Sequence, residues 1–345
     1  MFKPVYTITD EILSMIAEIE SIRAKVIQIP ILPERAIELH YRATVEMTHS
    51  STSIEGNPLS LDQVDSILKK QSITKRDYSE TEVRNYKASL DFIDKRKQTD
   101  KQLGYSDILH LHKLSMKGLL PVKKTGVIRP GSIYIVDQDD NVKFTGPKAN
   151  LVQSKLEDLL SWLNSDKGIH PCIAAALLHY QFVTIHPFSD GNGRVARLLT
   201  VLFLGLHDYD YNGSIVLDSY YAQEKAEYYA ALHDCQGKTY REGNDLTSWI
   251  LYFVTGFLSS AKVLWAEFAI LSALEPLVSR KLISRVEMDI LIYAVQFGSI
   301  SLSEAEEILP DISRRTLQRK LGLLSDSGYL TKRGAARSTR YFWNR

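Results

Sequence analysis

The sequence predicts a mainly α-helical protein with one short β-hairpin and a C-terminal module that combines helices with two short strands. Three observations carry that class. Ile8, Ile12, Met15, Ile16, Ile19 and Ile22 recur at the 3.6-residue period of a helix. Residues 245–274 are strongly apolar around Trp249, Phe253, Phe257 and Trp265, as expected of a helix that completes a core. Strand formers gather in a short internal segment, residues 132–136.

Taken in order, the first helix is followed by a second over residues 33–55. Gly56, Asn57 and Pro58 stop it, and Ser60 with Gln63 forms a capping box for the next. Residues 132–136, a polar turn at 138–141 and residues 142–145 before Gly146 and Pro147 read as a hairpin. A lone hairpin is barely stable, so it is either a surface excursion or an edge with a task. Residues 195–206 form an apolar helix. Residues 218–236 are dense in tyrosine at helical spacing, which suits either core or the wall of a site. After Glu275 and Pro276 the character changes. Helices from Val286, over 302–309 and over 313–325 precede strands near 328–330 and 340–343, the order of a winged helix-turn-helix. Residues 313–320 would be its recognition helix, capped by Ser313 or Asp311. These readings divide the chain into residues 1–100, 101–275 and 280–345.

Composition bounds the function. A chain of 345 residues, 44% of them hydrophobic, can bury two or three cores. Its two cysteines, Cys172 and Cys235, make neither a disulfide scaffold nor a zinc spacing. No signal-peptide segment opens the sequence and no run of about 18 apolar residues is evident, so a cytoplasmic protein without membrane attachment is expected. The net charge of +1 hides a basic tip: from Ile312 onward nine Lys or Arg face one acidic residue, Asp326. That tip fits DNA contact through residues 313–320, although winged helices also bind proteins or dimerise and charge runs are often solvated faces.

Residues 186–197 carry the chemistry. His186 can accept a proton from an attacking hydroxyl. Asp190 is a hard oxygen ligand suited to Mg2+. Gly191, Asn192 and Gly193 allow a tight turn with inward N–H groups at a helix N-terminus, an anion site. Arg194 and Arg197, three apart on one helix face, could reach one polyphosphate. A base, a metal ligand and a phosphate cradle imply transfer of a phosphorus-containing group to a hydroxyl. The Walker spacing of Gly-x-x-x-x-Gly-Lys-Ser/Thr is absent.

The segment His186-Pro-Phe-Ser-Asp190-Gly-Asn-Gly-Arg194-Val-Ala-Arg197 resembles the signature of the Fic family at every defined position. The resemblance implies a mostly helical enzyme that transfers AMP from ATP to a Ser, Thr or Tyr hydroxyl of a target protein, releasing pyrophosphate. It implies His186 as general base, Asp190 as Mg2+ ligand, the 191–193 backbone and the Asn192 side chain on phosphates, and Arg194 and Arg197 on the β and γ groups. Gly193 favours adenylylation, since the phosphorylating branch of the family carries Lys there.

The family also gives meaning to Ser51, Glu55 and Gly56, which fit its Ser/Thr-x-x-x-Glu-Gly/Asn inhibitory motif. On that resemblance Glu55 pairs with Arg197 and blocks the ATP γ-phosphate. The hairpin resembles the family's flap, placing Ile133, Tyr134, Ile135 and Val136 near nucleotide and target. Tyr228, Tyr229 and Gln236 resemble its adenosine-binding side, with Gln where Asn is usual. The family further implies self-modification and dimers as companions of the activity. Two other functions stay open: a DNA-binding regulator using the fold as a nucleotide sensor, and a hydrolase that removes AMP.

Overall fold

The computed structural model describes residues 2–29, 33–69, 77–136, 142–165, 168–335 and 339–344. Two compact units emerge, one of Met1–Lys25 with Pro33–Lys262, the other of Val26–Leu32 with Val263–Arg345. The boundary falls inside a helix, upstream of the break read at Glu275 and Pro276.

The first unit opens with α1 (Asp10–Gln28), α2 (Pro33–Ile54), α3 (Leu61–Lys69), α4 (Tyr78–Arg96) and α5 (Tyr105–Ser115). A two-stranded hairpin follows, β1 (Tyr134–Val136) antiparallel to β2 (Val142–Thr145), with an irregularity between Ile135 and Val136. The expected turn at 138–141 lies outside the described residues. Next come α6 (Ala149–Leu163), α7 (Pro171–Ile185), α8 (Asn192–Leu206), α9 (Leu217–Gln223), α10 (Lys225–Gln236) and α11 (Thr247–Ser279).

Helix α7 is apolar all round and buried from Cys172 to Ile185, so it forms the centre rather than one wall. It packs on α8, and the Trp249 indole N–H of α11 donates to Ala176 O at 2.7 Å. Although α2 is rich in hydroxyls, its last turns are buried. Thr44, Thr48 and Thr52 each donate to the carbonyl four residues back, which satisfies the hydroxyls without breaking the helix. That face packs on α9, bringing the end of α2 to the middle of the unit.

Helix α11 departs from the sequence reading twice. It runs through Pro276 to Ser279, because a proline near the C-terminal end costs only one intrahelical bond. With polar residues interspersed, an 18-residue stretch of it still reaches a mean hydropathy of 1.4, long and apolar enough to cross a membrane by length and composition. Trp249, Phe253, Val254 and Phe257 are fully buried in the core.

The second unit contains α12 (Arg285–Phe297), β3 (Ser299–Ser301), α13 (Leu302–Ile308), α14 (Arg314–Asp326), β4 (Leu330–Arg333) and β5 (Arg340–Trp343). Sequence reading foresaw the helices and the last strand, and placed at 328–330 the strand that lies instead at Leu330–Arg333, after a turn at Gly328. It missed β3, three residues pressed between two helices, which pairs with β5 in a sheet of order β3-β5-β4. Ser284 and Ser301 close capping boxes with Glu287 and Glu304. Ser313, rather than Asp311, caps α14 by accepting from Thr316 N.

Candidate active site

A cavity of about 830 Å3 opens in the first unit, lined by Glu55, Ile133, Tyr134, Ile135, His186, residues 190–193, Arg197, Tyr228, Tyr229 and Gln236 among others. The strongest sequence motif and three dispersed segments therefore meet at one place.

His186 ends α7 in the left-handed region at φ 52°, a conformation that costs a non-glycine residue about 1 kcal/mol. Tertiary contacts hold it there. Its Nδ1 lies 3.1 Å from Val183 O, and donating that proton leaves Nε2 as the acceptor. Buried Arg129 donates to His186 O at 2.8 Å and to the carbonyls of Gly131 and Pro147. Burial lowers the His186 pKa to about 4, well below the ordinary value assumed from sequence, so the ring is neutral at pH 7 and ready to take a proton.

The following loop is pinned from within. Asn192 accepts from Phe188 N and donates to Phe188 O, both at 2.9 Å. Its side chain, which the resemblance assigns to phosphates, is thus occupied in closing the loop. The His112 ring stacks on Phe188 at 3.7 Å, accepts from Gly126 N and lies 3.1 Å from Asp190 O. Gly191 has φ 77°, and a Cβ there would come within 2.5 Å of the Met116 sulfur, so two independent constraints exclude a side chain. Helix α8 starts at Asn192, three residues earlier than expected, and Gly193 and Arg194 belong to its first turn.

Asp190 keeps half its side chain exposed while Oδ1 accepts from Gly191 N. Oδ1 also lies 3.6 Å from Arg194 Nη2, and the half-exposed carboxylate at the cavity fits Mg2+, which takes one or two protein carboxylates and fills its shell with water and phosphate oxygens. Among the described residues no cluster of three His, Cys, Asp or Glu is arranged to hold a metal by itself.

The two arginines, expected on one polyphosphate, separate. Buried Arg194 pairs with buried Glu82 of α4 at 2.5 Å. Arg197 faces the cavity and carries the pair anticipated from sequence: Nη2 donates to Glu55 Oε1 at 2.7 Å and to Ser51 O at 3.0 Å. Its Nε donates to Ser51 Oγ at 2.6 Å and lies 3.3 Å from Asp218 Oδ1. Burial would raise the Glu55 pKa, but the Arg197 and Arg194 guanidiniums outweigh it and lower it. A Cβ on Gly193 would meet Glu55 Oε1 at 2.7 Å, so the carboxylate lies directly against the glycine turn.

Tyr228 is buried, its hydroxyl 2.8 Å from His179 Nε2 and its ring stacked on Tyr221. Tyr229 is 45% exposed. Gln236 donates to Thr184 Oγ1 at 2.8 Å. Tyr228 thus serves core and wall together, which its sequence spacing could not separate. Sequence reading missed Arg129, His112, Glu82, His179 and Asp218. Each lies apart from the motif and is recognisable only as a charged or imidazole side chain that the fold buries.

A base with its free nitrogen, a glycine turn at a helix start and a guanidinium face the same cavity of a helical unit. Residues 102–204 match the Fic/DOC family, and the chain carries a Fic domain. It is similar to protein adenylyltransferase fic-1 of Caenorhabditis elegans, 33% identical over 192 residues, covering 54% of this chain and 35% of that protein. Protein adenylyltransferase Fic of Drosophila willistoni is 34% identical over 155 residues, 44% of this chain and 30% of that protein. The chain spans about a third of the length of the curated relatives it matches. Among solved structures, a Fic family protein from Desulfovibrio desulfuricans aligns over 99% of this chain and 98% of its own, with TM-score 0.65 and 25% identity. A Fic domain containing signaling protein from Bacteroides thetaiotaomicron aligns over 76% of this chain and 98% of its own, with TM-score 0.61 and 27% identity.

Proposed function

We propose that this chain is a protein adenylyltransferase that moves AMP from ATP to a Ser, Thr or Tyr hydroxyl of a target protein and is held inactive by Glu55. The observation that carries the reading is the Glu55 carboxylate on Arg197, against Gly193, in the cavity that His186 also lines. An anion already occupies the seat of a terminal phosphate. With Glu55 withdrawn, the ATP phosphates would lie on the 191–193 turn and on Arg197. Asp190 would hold Mg2+, which when bound offsets phosphate charge. His186 Nε2 would take the target hydroxyl proton as its oxygen bonds to the α-phosphorus and pyrophosphate departs.

The relatives' names support ATP and a protein as the two substrates. The hairpin supports a flap role: Ile133, Tyr134 and Ile135 line the cavity, and a short strand can recruit an extended target segment by main-chain hydrogen bonds. Self-modification, a homodimer and a cytoplasmic setting belong to the same reading.

The second unit supports a winged helix that contacts DNA. Arg314, Arg315, Gln318 and Arg319 of α14 are exposed, as are Lys332 and Arg333 on β4, so one helix and one hairpin present cations.

Incubation with labelled ATP and Mg2+ tests the main reading. Glu55→Gly should label itself or a target well above wild type, and His186→Ala should abolish labelling. Release of AMP from a modified protein without incorporation would favour the hydrolase. Nucleotide binding with neither activity would favour the sensor.

A further inference from the structure

We propose that Asp218 is a positioning residue that holds Arg197 ready for phosphate when Glu55 leaves; this rests on the reading of Arg197 as the terminal-phosphate ligand. The guanidinium has three distinct edges. Nε faces Ser51 Oγ and the Asp218 carboxylate, at 2.6 and 3.3 Å. The edge at Nη2 faces Ser51 O and Glu55. At the third edge Nη1 is buried without a hydrogen-bond partner and lies 3.2 Å from where a Gly193 Cβ would stand, beside the phosphate turn.

Glu55 and Asp218 therefore play different parts on one cation. Glu55 sits just beyond the end of α2, its side chain 25% exposed, next to Gly56 at φ 95°. Asp218 lies in the first turn of α9 with only 2% of its side chain exposed. It is tied to Tyr86 of α4, whose hydroxyl lies 3.4 Å from Oδ1. Ser51 shares the Nε edge with it, accepting from Arg197 Nε. Glu55 borders the cavity, whereas Asp218 is enclosed on the far side of the guanidinium. Its departure would strip a buried cation of its remaining carboxylate. With Glu55 gone, Asp218 and Ser51 still hold Nε from behind, and Nη1 and Nη2 point together at the turn as a preset fork for two phosphate oxygens. Burial raises the Asp218 pKa to about 6, which still leaves it mostly ionised at pH 7.5.

The test uses the full chain in the Glu55→Gly background and compares the dissociation constants of ATP and AMP with Mg2+. The parent should prefer ATP. Asp218→Asn, which keeps the shape and removes the charge, should shrink that preference on the order of 10-fold, and Asp218→Ala should shrink it further. AMP affinity should hold in both, a result that a merely damaged fold would not give. Adding either substitution to Arg197→Ala should cost nothing more, because both act through one guanidinium. An unchanged or larger ATP preference in Asp218→Asn and Asp218→Ala overturns the inference alone. Absence of any preference in the parent overturns the phosphate reading of Arg197 and the inference with it.

Discussion

Glu55 Oε1 and Arg197 Nη2 meet at 2.7 Å although they stand 142 residues apart in sequence. A charge-assisted bond of this kind at a partly buried site contributes about 1.5–3 kcal/mol, and a glutamine can replace only part of it. Glu55→Gln should therefore transfer AMP at a rate between wild type and Glu55→Gly. Initial rates of labelling measure the order; a glutamine variant as silent as wild type would count against the charge as the source of inhibition.

The base should work far into acid. Burial puts the His186 pKa at about 4, and transfer needs the neutral ring. In Glu55→Gly, which also removes a carboxylate that holds the His186 pKa up, kcat/KM plotted against pH should stay level from about 8 down to about 5 and fall only below that. An acid limb centred near 6.5 would mean that the ring titrates as if solvated.

Stability should be the more acid-sensitive property. Buried His112 and His179 are drawn down to about 4 and about 3, first of all by desolvation. Each has a folded-state pKa below its unfolded value of 6.5. The stability each contributes is present above that value and is lost as pH falls through the folded one. Together the loss between pH 7 and pH 4 should reach several kcal/mol, seen as a falling denaturation midpoint in urea. A flat midpoint over that window would rule the effect out.

Arg129 binds the carbonyls of Gly131, Pro147, Ile185 and His186 with one buried guanidinium. Arg129→Ala should cost about 2–4 kcal/mol of stability and lower transfer in Glu55→Gly by 10-fold or more, because the left-handed turn at His186 loses its clamp. Arg129→Lys, a single donor head in place of a fork, should recover only part of both. Thermal melting and labelling read the two effects separately.

The basic helix of the second unit predicts a salt signature. A short DNA duplex should bind the full chain with affinity that falls steeply with salt, and Arg315→Ala and Arg319→Ala should each reduce the log-log slope by about one. Fluorescence anisotropy at several salt concentrations decides it. A slope indifferent to both substitutions would assign α14 to another partner.

What could be read from the sequence was local. Residues 186–197 carry their chemistry in adjacent letters, and the Glu55 pairing came through a motif of neighbouring residues. The early start of α8 was hidden because glycine and asparagine look like a turn even when they form the first turn of a helix. Arg129, Glu82 and Asp218 could not be found, since an isolated charged residue ordinarily marks a solvated face. Only the fold reveals that each is buried and must be answered by a partner. Strand β3 was hidden for a similar reason: three residues carry no periodicity, and the strand exists because β5 offers hydrogen bonds.

The Glu55 carboxylate and the Arg197 guanidinium belong to one chain, so their encounter is first order. Dilution cannot separate them. On the proposed reading a nucleotide phosphate competes against a tethered anion at fixed effective concentration, and whatever moves the chain just past the end of α2 at Ile54 sets how much nucleotide is enough.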